Sequence, residues 1–446
     1  MIKVRFAPSP TGLLHVGNIR IAILNYLFTK KNGGKFVLRI DDTDLERSTR
    51  ESEESILEDL KWIGIQWDEF YRQSANFEKY KVVAEHLKSI GRIYPCYETK
   101  EELALKRKIQ ISGNVPPVYD RASLNLTQQM RKDKESQGIL PHWRFKLDDN
   151  RTMGWDDLVH NKIAIPLSSI SDPILIKPDG SFTYTFASVV DDINVGITHI
   201  IRGDDHITNT AAQMNIFEVI AGEFPQFAHI PLMLSLDGQD VSKRSGSSLS
   251  IANIRESGVD PWSIWCVLAT IGTSHNVNHL DSLEKLTDEF SFQKMSLSSP
   301  KFNLEELKLL TKKIISDKSF GEVENDLKKL NIENISEEFW NTIRGNLPSI
   351  KDVIFWHDVL FGKINPQKED KNFVSQMLET LKNPVDFNQW IEDLKKISGK
   401  KGRDLFHPIR IVLTGLNDGP ELSKIVHLMG YNHMRSRMID NLNIKQ

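Results

Sequence analysis

The sequence predicts a multidomain protein: an α/β domain carrying an α+β insertion, followed by an all-α region. Three observations lead there. The N-terminal third alternates strand-like and helix-like stretches; regularity is lost between about 95 and 180 and then returns; and from about Leu304 nearly every segment is helical. A chain of 446 residues also suggests about three domains, at roughly 150 residues each.

Taken in order, Lys3 to Ala7 places apolar residues at alternate positions, as a half-buried strand does. Ile19 to Thr29 is strongly apolar and ends at Gly33-Gly34, a helix stop. Lys35 to Ile40 is a second strand, so the three pieces form a strand–helix–strand unit with a right-handed crossover and parallel strands. Two helices follow, Ser52 to Ile63 stopping at Gly64 and Phe77 to Ile90 stopping at Gly91. Pro95 to Asp179, with its Pro116-Pro117 break and short charged helices, is read as the insertion. The strand pattern resumes near Phe182-Thr183-Tyr184, Ile197 to Ile201 is β-branched enough for a buried strand, and 211–220 is helical.

Composition bounds the class. Hydrophobic residues are 39% and charged residues 26%, which excludes wholesale disorder. No run reaches the roughly 20 apolar residues of a membrane span, and Pro8 interrupts the N-terminus before a signal-peptide core forms. Cys96 and Cys266 are the only cysteines, which excludes a disulfide framework and an all-cysteine zinc site. A cytoplasmic chain with no membrane association is expected. The net charge of −3 says nothing about partners, but from Lys395 onward ten cations face four carboxylates. Alone, that run reads as a solvated face.

Two segments carry chemistry. Pro8-Ser9-Pro10-Thr11-Gly12-Leu13-Leu14-His15-Val16-Gly17-Asn18 joins the first strand to a helix start, where exposed N–H groups and the dipole suit a phosphate. Gly12 and Gly17 permit close approach of a nucleotide, and His15 and Asn18 offer donors. Asp240-Val241-Ser242-Lys243-Arg244-Ser245-Gly246 sets two cations among small residues, as a phosphate-closing loop requires. Taken singly, a tight turn and a plain linker are the commoner explanations. No Gly-Lys-Ser/Thr phosphate loop is present.

Together the two segments have the layout of class I aminoacyl-tRNA synthetases. Arg5-Phe6-Ala7-Pro8-Ser9-Pro10-Thr11-Gly12, Leu38-Arg39-Ile40-Asp41-Asp42-Thr43-Asp44, Val189-Val190-Asp191-Asp192 and Ile201-Arg202-Gly203-Asp204-Asp205-His206 closely resemble bacterial glutamyl-tRNA synthetases, most strongly through about residue 310.

The resemblance implies a Rossmann-like catalytic domain in two halves, 1–94 and 181–235, separated by an acceptor-end-binding insertion at 95–180. It further implies a stem-contact region at 236–310 bearing the Ser-Lys-Arg loop, and a helical anticodon-binding region at 311–446. The implied reaction is ATP-dependent attachment of L-glutamate to tRNA-Glu through glutamyl-adenylate, with Mg²⁺ carried in on ATP. His15, Asn18, Lys243 and Arg244 are the expected catalytic residues. Pro8, Gly12, Gly17, Asp205 and Ser242 join them around ATP. Arg5, Ala7, Ser9, Asp41, Tyr184, Ser188 and Arg202 are expected around glutamate, with Arg202 at the side-chain carboxylate and Asp41 at the α-ammonium. Arginine suits the first role because its planar fork pairs bidentately with carboxylate.

The chain departs from the family pattern in places. Asp41 replaces the usual glutamate, Asp240 replaces the first lysine of the phosphate loop, Ser188 stands where some relatives carry asparagine, and Asn18 replaces a second histidine. Many relatives hold zinc in the insertion, where Cys96 here stands alone, so no zinc is expected and no other resident metal. Alternatives are a relative that charges tRNA-Gln with glutamate and a tRNA-binding paralogue without catalysis. Monomer is the family's usual form. At helical spacing, Trp340, Trp356 and Trp390 read as core more readily than as platforms for anticodon bases, with Phe355 beside them.

Overall fold

A computed structural model describes residues 1–241, 249–274, 282–332, 335–365 and 367–443. The chain divides into two compact units, 1–254 with 264–303, and 255–263 with 304–446.

The first unit is built on β1 (Lys3–Phe6), α1 (Val16–Lys31), β2 (Lys35–Ile40), α2 (Arg50–Ile63), β3 (Glu69–Arg72) and α3 (Phe77–Ser89). After the insertion come α6 (Tyr184–Val195), β9 (His199–Gly203), α7 (Ile207–Ala221) and β10 (Gln226–Ile230). The strands form one parallel sheet in the order β10-β9-β1-β2-β3. Chain order therefore reverses at β1, and a crevice opens at the carboxyl ends of β1 and β9, the place where such sheets bind ligands.

β1 is not half-buried as its alternation suggests. Val4, Arg5 and Phe6 are all buried, because β1 is the central strand and both of its faces are covered. A charge there needs an internal partner, and Arg5 has one in Asp192. A second correction concerns Phe182-Thr183-Tyr184. Phe182 makes only an isolated bridge to Ile176, and Tyr184 already opens helix α6. A third is β3, which the sequence does not announce.

The insertion holds β4 (Ile93–Cys96), α4 (Lys100–Ser112), α5 (Gln128–Ser136), β5 (His142–Phe145), β6 (Thr152–Asp157), β7 (Asn161–Pro166) and β8 (Ile174–Ile176). β4, β5 and β8 make an antiparallel sheet, and β6 with β7 a hairpin.

The second unit is helical from Leu304–Asp317 to Leu422–Leu442 among the described residues. Trp340, Trp356 and Trp390 are buried in its core, whereas Phe355 is exposed. Of the C-terminal cations, Arg437 is buried and donates to the carbonyls of Val359 (3.0 Å) and Gly362 (2.7 Å), so the basic run is not wholly a solvated face. No described helix is long and apolar enough to cross a membrane.

His142 makes the insertion sensitive to acid. It is buried, and its Nε2 accepts from Arg144 Nε at 3.2 Å. Burial, reinforced by the Arg144 cation, pushes its pKa down to about 4. The unfolded chain takes up this proton near 6.5, the folded one only near 4, so stability falls as pH drops through that window. One such group contributes a slope of about 1.4 kcal/mol per pH unit. We expect His142→Gln to remove that share in urea unfolding at stepped pH, and an unchanged slope contradicts the assignment.

Candidate active site

The crevice begins where β1 turns into α1. His15 is the N-cap of α1: its Nδ1 accepts from the Gly17 N–H (3.1 Å), while its own N–H donates to Asn18 Oδ1 (3.1 Å). Burial lowers the His15 pKa, with Asp240 opposing. A neutral ring that accepts at Nδ1 carries its proton on Nε2, leaving a donor for a ligand. Asn18 likewise keeps its Nδ2 donors. The first turn of α1 holds no acidic residue to cancel the helix dipole. Gly17 is required by close packing, since a Cβ there would lie 2.9 Å from the His15 ring and 3.1 Å from Val241 Cγ2.

Ser242, Lys243 and Arg244 lie outside the described residues. Their chain neighbours are placed. Val241 packs against the Gly17 turn, and beyond the gap the Val16 N–H donates to the Leu249 carbonyl (3.2 Å) and the Ile251 N–H to the Leu14 carbonyl (2.8 Å).

Two adjoining cavities occupy the crevice. One, of about 520 Å³, is lined by Arg5, Ala7, Pro8, Ser9, Gly12, Tyr184 and Arg202 of the expected set. The other, of about 220 Å³, is lined by Gly17 and Asp205. His15 and Asn18 line both, as do Ile21, Gly203 and His206. Gly203 has no room for a side chain, because the Asp205 carboxylate and Leu232 Cδ2 occupy the place of its Cβ.

Arg202 closes the larger cavity. The residue is only 6% exposed. NH1 donates to Tyr184 OH (3.3 Å), and NH2 donates to Thr210 Oγ1 (2.6 Å) and Gln213 Oε1 (2.7 Å). Its Nε has no hydrogen-bond partner, and among the described residues no carboxylate pairs with it. Burial lowers its pKa, an effect partly offset by Tyr184, reinforced by the nearby Arg5 cation and opposed again by Asp192 acting from beyond hydrogen-bond range. Arg20 and Arg437 are likewise buried on neutral acceptors, and what sets Arg202 apart is its place in the wall of the larger cavity.

The neighbouring arginines differ. Arg5 Nε donates to Asp192 (3.1 Å), Arg39 NH1 donates to the same carboxylate (2.7 Å), and Arg39 grips Asp41 through Nε (2.5 Å) and NH2 (3.1 Å). Asp41 is therefore folded back onto Arg39 and does not line the cavity, in keeping with a side chain one carbon shorter than glutamate. Ser188 is not in the wall either. Its Oγ donates to the Tyr184 carbonyl (2.7 Å) and accepts from Gln213 Nε2 (3.0 Å), which turns the Gln213 oxygen toward Arg202.

His206 lines both cavities and was not among the expected residues. Burial and then the Arg202 cation push its pKa down to about 4 against Asp205, so it is neutral near pH 7. Its place directly after Arg202-Gly203-Asp204-Asp205 was the available signal.

Cys96 does not stand alone. Its Sγ, a Glu98 oxygen and a His142 nitrogen lie within 4.8 Å of one another. Tyr119 OH donates to Glu98 (2.7 Å) and contacts Cys96 Sγ (3.5 Å), Ser123 Oγ donates to Glu98 (2.9 Å), and Arg144 donates to His142. Burial pushes the Cys96 thiol up to about 11. Three candidate ligands among the described residues are one short of a closed structural zinc site, and the Arg144 guanidinium already donates to His142 Nε2, so the cluster does not fit a structural zinc ion.

The sequence of residues 1–309 matches the family described as tRNA synthetases class I (E and Q), catalytic domain, and 366–442 match an anticodon binding domain. The chain belongs to the class I tRNA synthetases of the E and Q group. Relatives in this family include a glutamate–tRNA ligase 2 of Hyphomonas neptunium, 45% identical over 98% of this chain and 99% of that one. A glutamate–tRNA ligase 1 of Maricaulis maris is 45% identical over the same shares. A crystal structure of a glutamate tRNA ligase from Elizabethkingia meningosepticum, in complex with its amino acid, covers 100% of both chains with a TM-score of 0.86 at 27% identity.

Within this synthetase fold, Asp192 balances two buried arginines at once. Removing one partner of a buried pair costs roughly 3–5 kcal/mol. We expect Asp192→Ala to destabilise the protein by that order in urea unfolding; a loss below about 1 kcal/mol contradicts the role of Asp192 as the shared counter-ion.

Proposed function

We propose that this synthetase is a glutamate–tRNA ligase: it joins L-glutamate to tRNA-Glu at the expense of ATP, through glutamyl-adenylate. One observation carries the amino-acid assignment: the Arg202 guanidinium, paired with no carboxylate among the described residues, at the wall of a 520 Å³ cavity. The relatives named glutamate–tRNA ligase, matched over nearly their whole length, agree with it.

In this reading the side-chain carboxylate of glutamate pairs with Arg202, with Tyr184 and Arg5 beside it and Ala7 and Ser9 along the strand-to-helix turn. Asp41 acts at one remove, holding Arg39 and through it the shared Asp192. The α-carboxylate attacks the α-phosphorus of ATP in line, and pyrophosphate leaves. The terminal 2′-hydroxyl of the tRNA then attacks the acyl carbon, and AMP leaves.

No covalent enzyme intermediate is needed, so positioning and electrostatic stabilisation do the work. His15 Nε2–H, Asn18 Nδ2 and the amino end of α1 receive phosphate oxygens, with Pro8, Gly12 and Gly17 leaving room. Lys243, Arg244 and Ser242 supply the remaining stabilisation by family resemblance, and Asp205 would be the carboxylate available to Mg²⁺ brought with ATP, whose charge would offset that of the phosphates. We assign the acceptor end of tRNA to 95–180, its stem to 236–310 and its anticodon to 311–446.

The direct test offers labelled glutamate with purified tRNA-Glu and tRNA-Gln separately. Charging of tRNA-Glu is expected. Charging of tRNA-Gln alone overturns the tRNA assignment, and charging of neither overturns the ligase. We further expect Lys243→Ala to slow adenylate formation by on the order of 10²-fold in single turnovers at saturating ATP, and an unchanged rate removes Lys243 from the mechanism.

A further inference from the structure

Arg202 is gripped by Thr210, and Thr210 is itself the end of a buried chain that begins in the insertion. Asp157, the last residue of β6, lies with its Oδ2 2.6 Å from His229 Nδ1. His229 sits on edge strand β10, and its Nε2 lies 2.7 Å from Thr210 Oγ1. Thr210 Oγ1 then accepts from Arg202 NH2 at 2.6 Å. His229 and Thr210 are fully buried and Asp157 nearly so. We propose that Asp157, His229 and Thr210 are positioning residues that set the Arg202 guanidinium for an acidic side chain; this rests on the glutamate reading of the cavity.

The order of donors and acceptors gives the chain a direction. Asp157 Oδ1 accepts from the N–H groups of Val159 (3.0 Å), His160 (3.0 Å) and His229 (3.2 Å). These bonds, with the one to His229, hold the carboxylate ionised against its burial. An ionised carboxylate only accepts, so His229 donates from Nδ1; burial lowers the pKa of the ring, and the neutral ring accepts at Nε2. The Thr210 hydroxyl then has two acceptors in reach, Nε2 at 2.7 Å and the His206 carbonyl at 3.0 Å; the shorter contact draws the proton to Nε2, and a lone pair faces Arg202. The other tautomer places a second donor on the hydroxyl that Arg202 uses.

Docking of the β6–β7 hairpin on the sheet edge does not explain the arrangement. The Leu158 N–H donates to the Phe227 carbonyl (2.9 Å), and Oδ1 alone satisfies the three backbone donors. The Oδ2–His229–Thr210 branch is additional to docking and ends on the guanidinium.

The test is steady-state charging of tRNA-Glu by the full-length enzyme, with glutamate and ATP varied in turn. Thr210→Val removes the hydroxyl and leaves the docking bonds untouched. It should raise KM for glutamate about tenfold or more, the scale of one hydrogen bond to a charged group, and leave KM for ATP within about twofold. Thr210→Ser should restore wild-type values. Asp157→Asn, which forces the other His229 tautomer, should shift KM for glutamate in the same direction and serves if the valine variant does not fold.

An unchanged KM for glutamate in Thr210→Val, or equal rises for both substrates, overturns the proposal. Arg202→Ala separates the two levels. Loss of glutamate use there, with a normal Thr210→Val, defeats the positioning chain and spares the glutamate reading; a normal KM for glutamate in Arg202→Ala defeats both.

Discussion

A guanidinium buried without a carboxylate is the constraint on which the rest of this structure depends. Desolvating a cation costs several kcal/mol unless an anion or a full set of acceptors compensates. Three arginines meet around the crevice, and two carboxylates are assigned to two of them: Asp41 to Arg39, and Asp192 to Arg39 and Arg5. Arg202 receives a phenol, a hydroxyl and an amide oxygen instead. Those acceptors hold the fork in place without neutralising it. In the proposed function, the side-chain carboxylate of the amino acid balances that charge.

The sheet places this cation beside the His15 turn, the proposed phosphate site, without any special device. β1 and β9 are neighbours although nearly two hundred residues separate them in sequence, because chain order reverses between them. Their carboxyl ends deliver the His15 turn to one wall of the crevice and Arg202-Gly203 to the other. Chemistry that joins a carboxylate to a phosphorus needs such an adjacency, since effective concentration supplies much of the rate. Neutral His15 and His206 fit the same logic: each is held uncharged by burial, so each presents a donor or an acceptor without adding to the charge that Arg202 already supplies.

Much of this was legible in the sequence where local signals and tertiary demands coincide. β2 and α2 end where an apolar pattern meets a stop, Ile40 before a run of aspartates and Ile63 before Gly64. β3 escaped notice because Glu69-Phe70-Tyr71-Arg72 is short, charged at both ends and held by pairing to β2 rather than by its own pattern. Tyr184 reads as strand because aromatic and β-branched residues favour strands in isolation, whereas in the structure it opens α6, a helix that packs against α7.

The site shows the same division. The residue types at His15, Asn18 and Arg202 state their chemistry, so their convergence could be expected. The fold-back of Asp41 onto Arg39 and the supporting position of Ser188 depend on three-dimensional distances of a few ångströms, which no spacing along the chain encodes. Asp157 was invisible for the same reason, since its partner His229 lies 72 residues away.

The central claim, that Arg202 selects an acidic side chain, is tested most directly by competition between glutamate and glutamine for charging. The two substrates differ by a carboxylate and an amide of nearly equal size. The account predicts a preference for glutamate of about a hundredfold or more in kcat/KM, collapsing in Arg202→Met. Equal use of the two by the natural enzyme, or a preference that survives loss of the guanidinium, contradicts it.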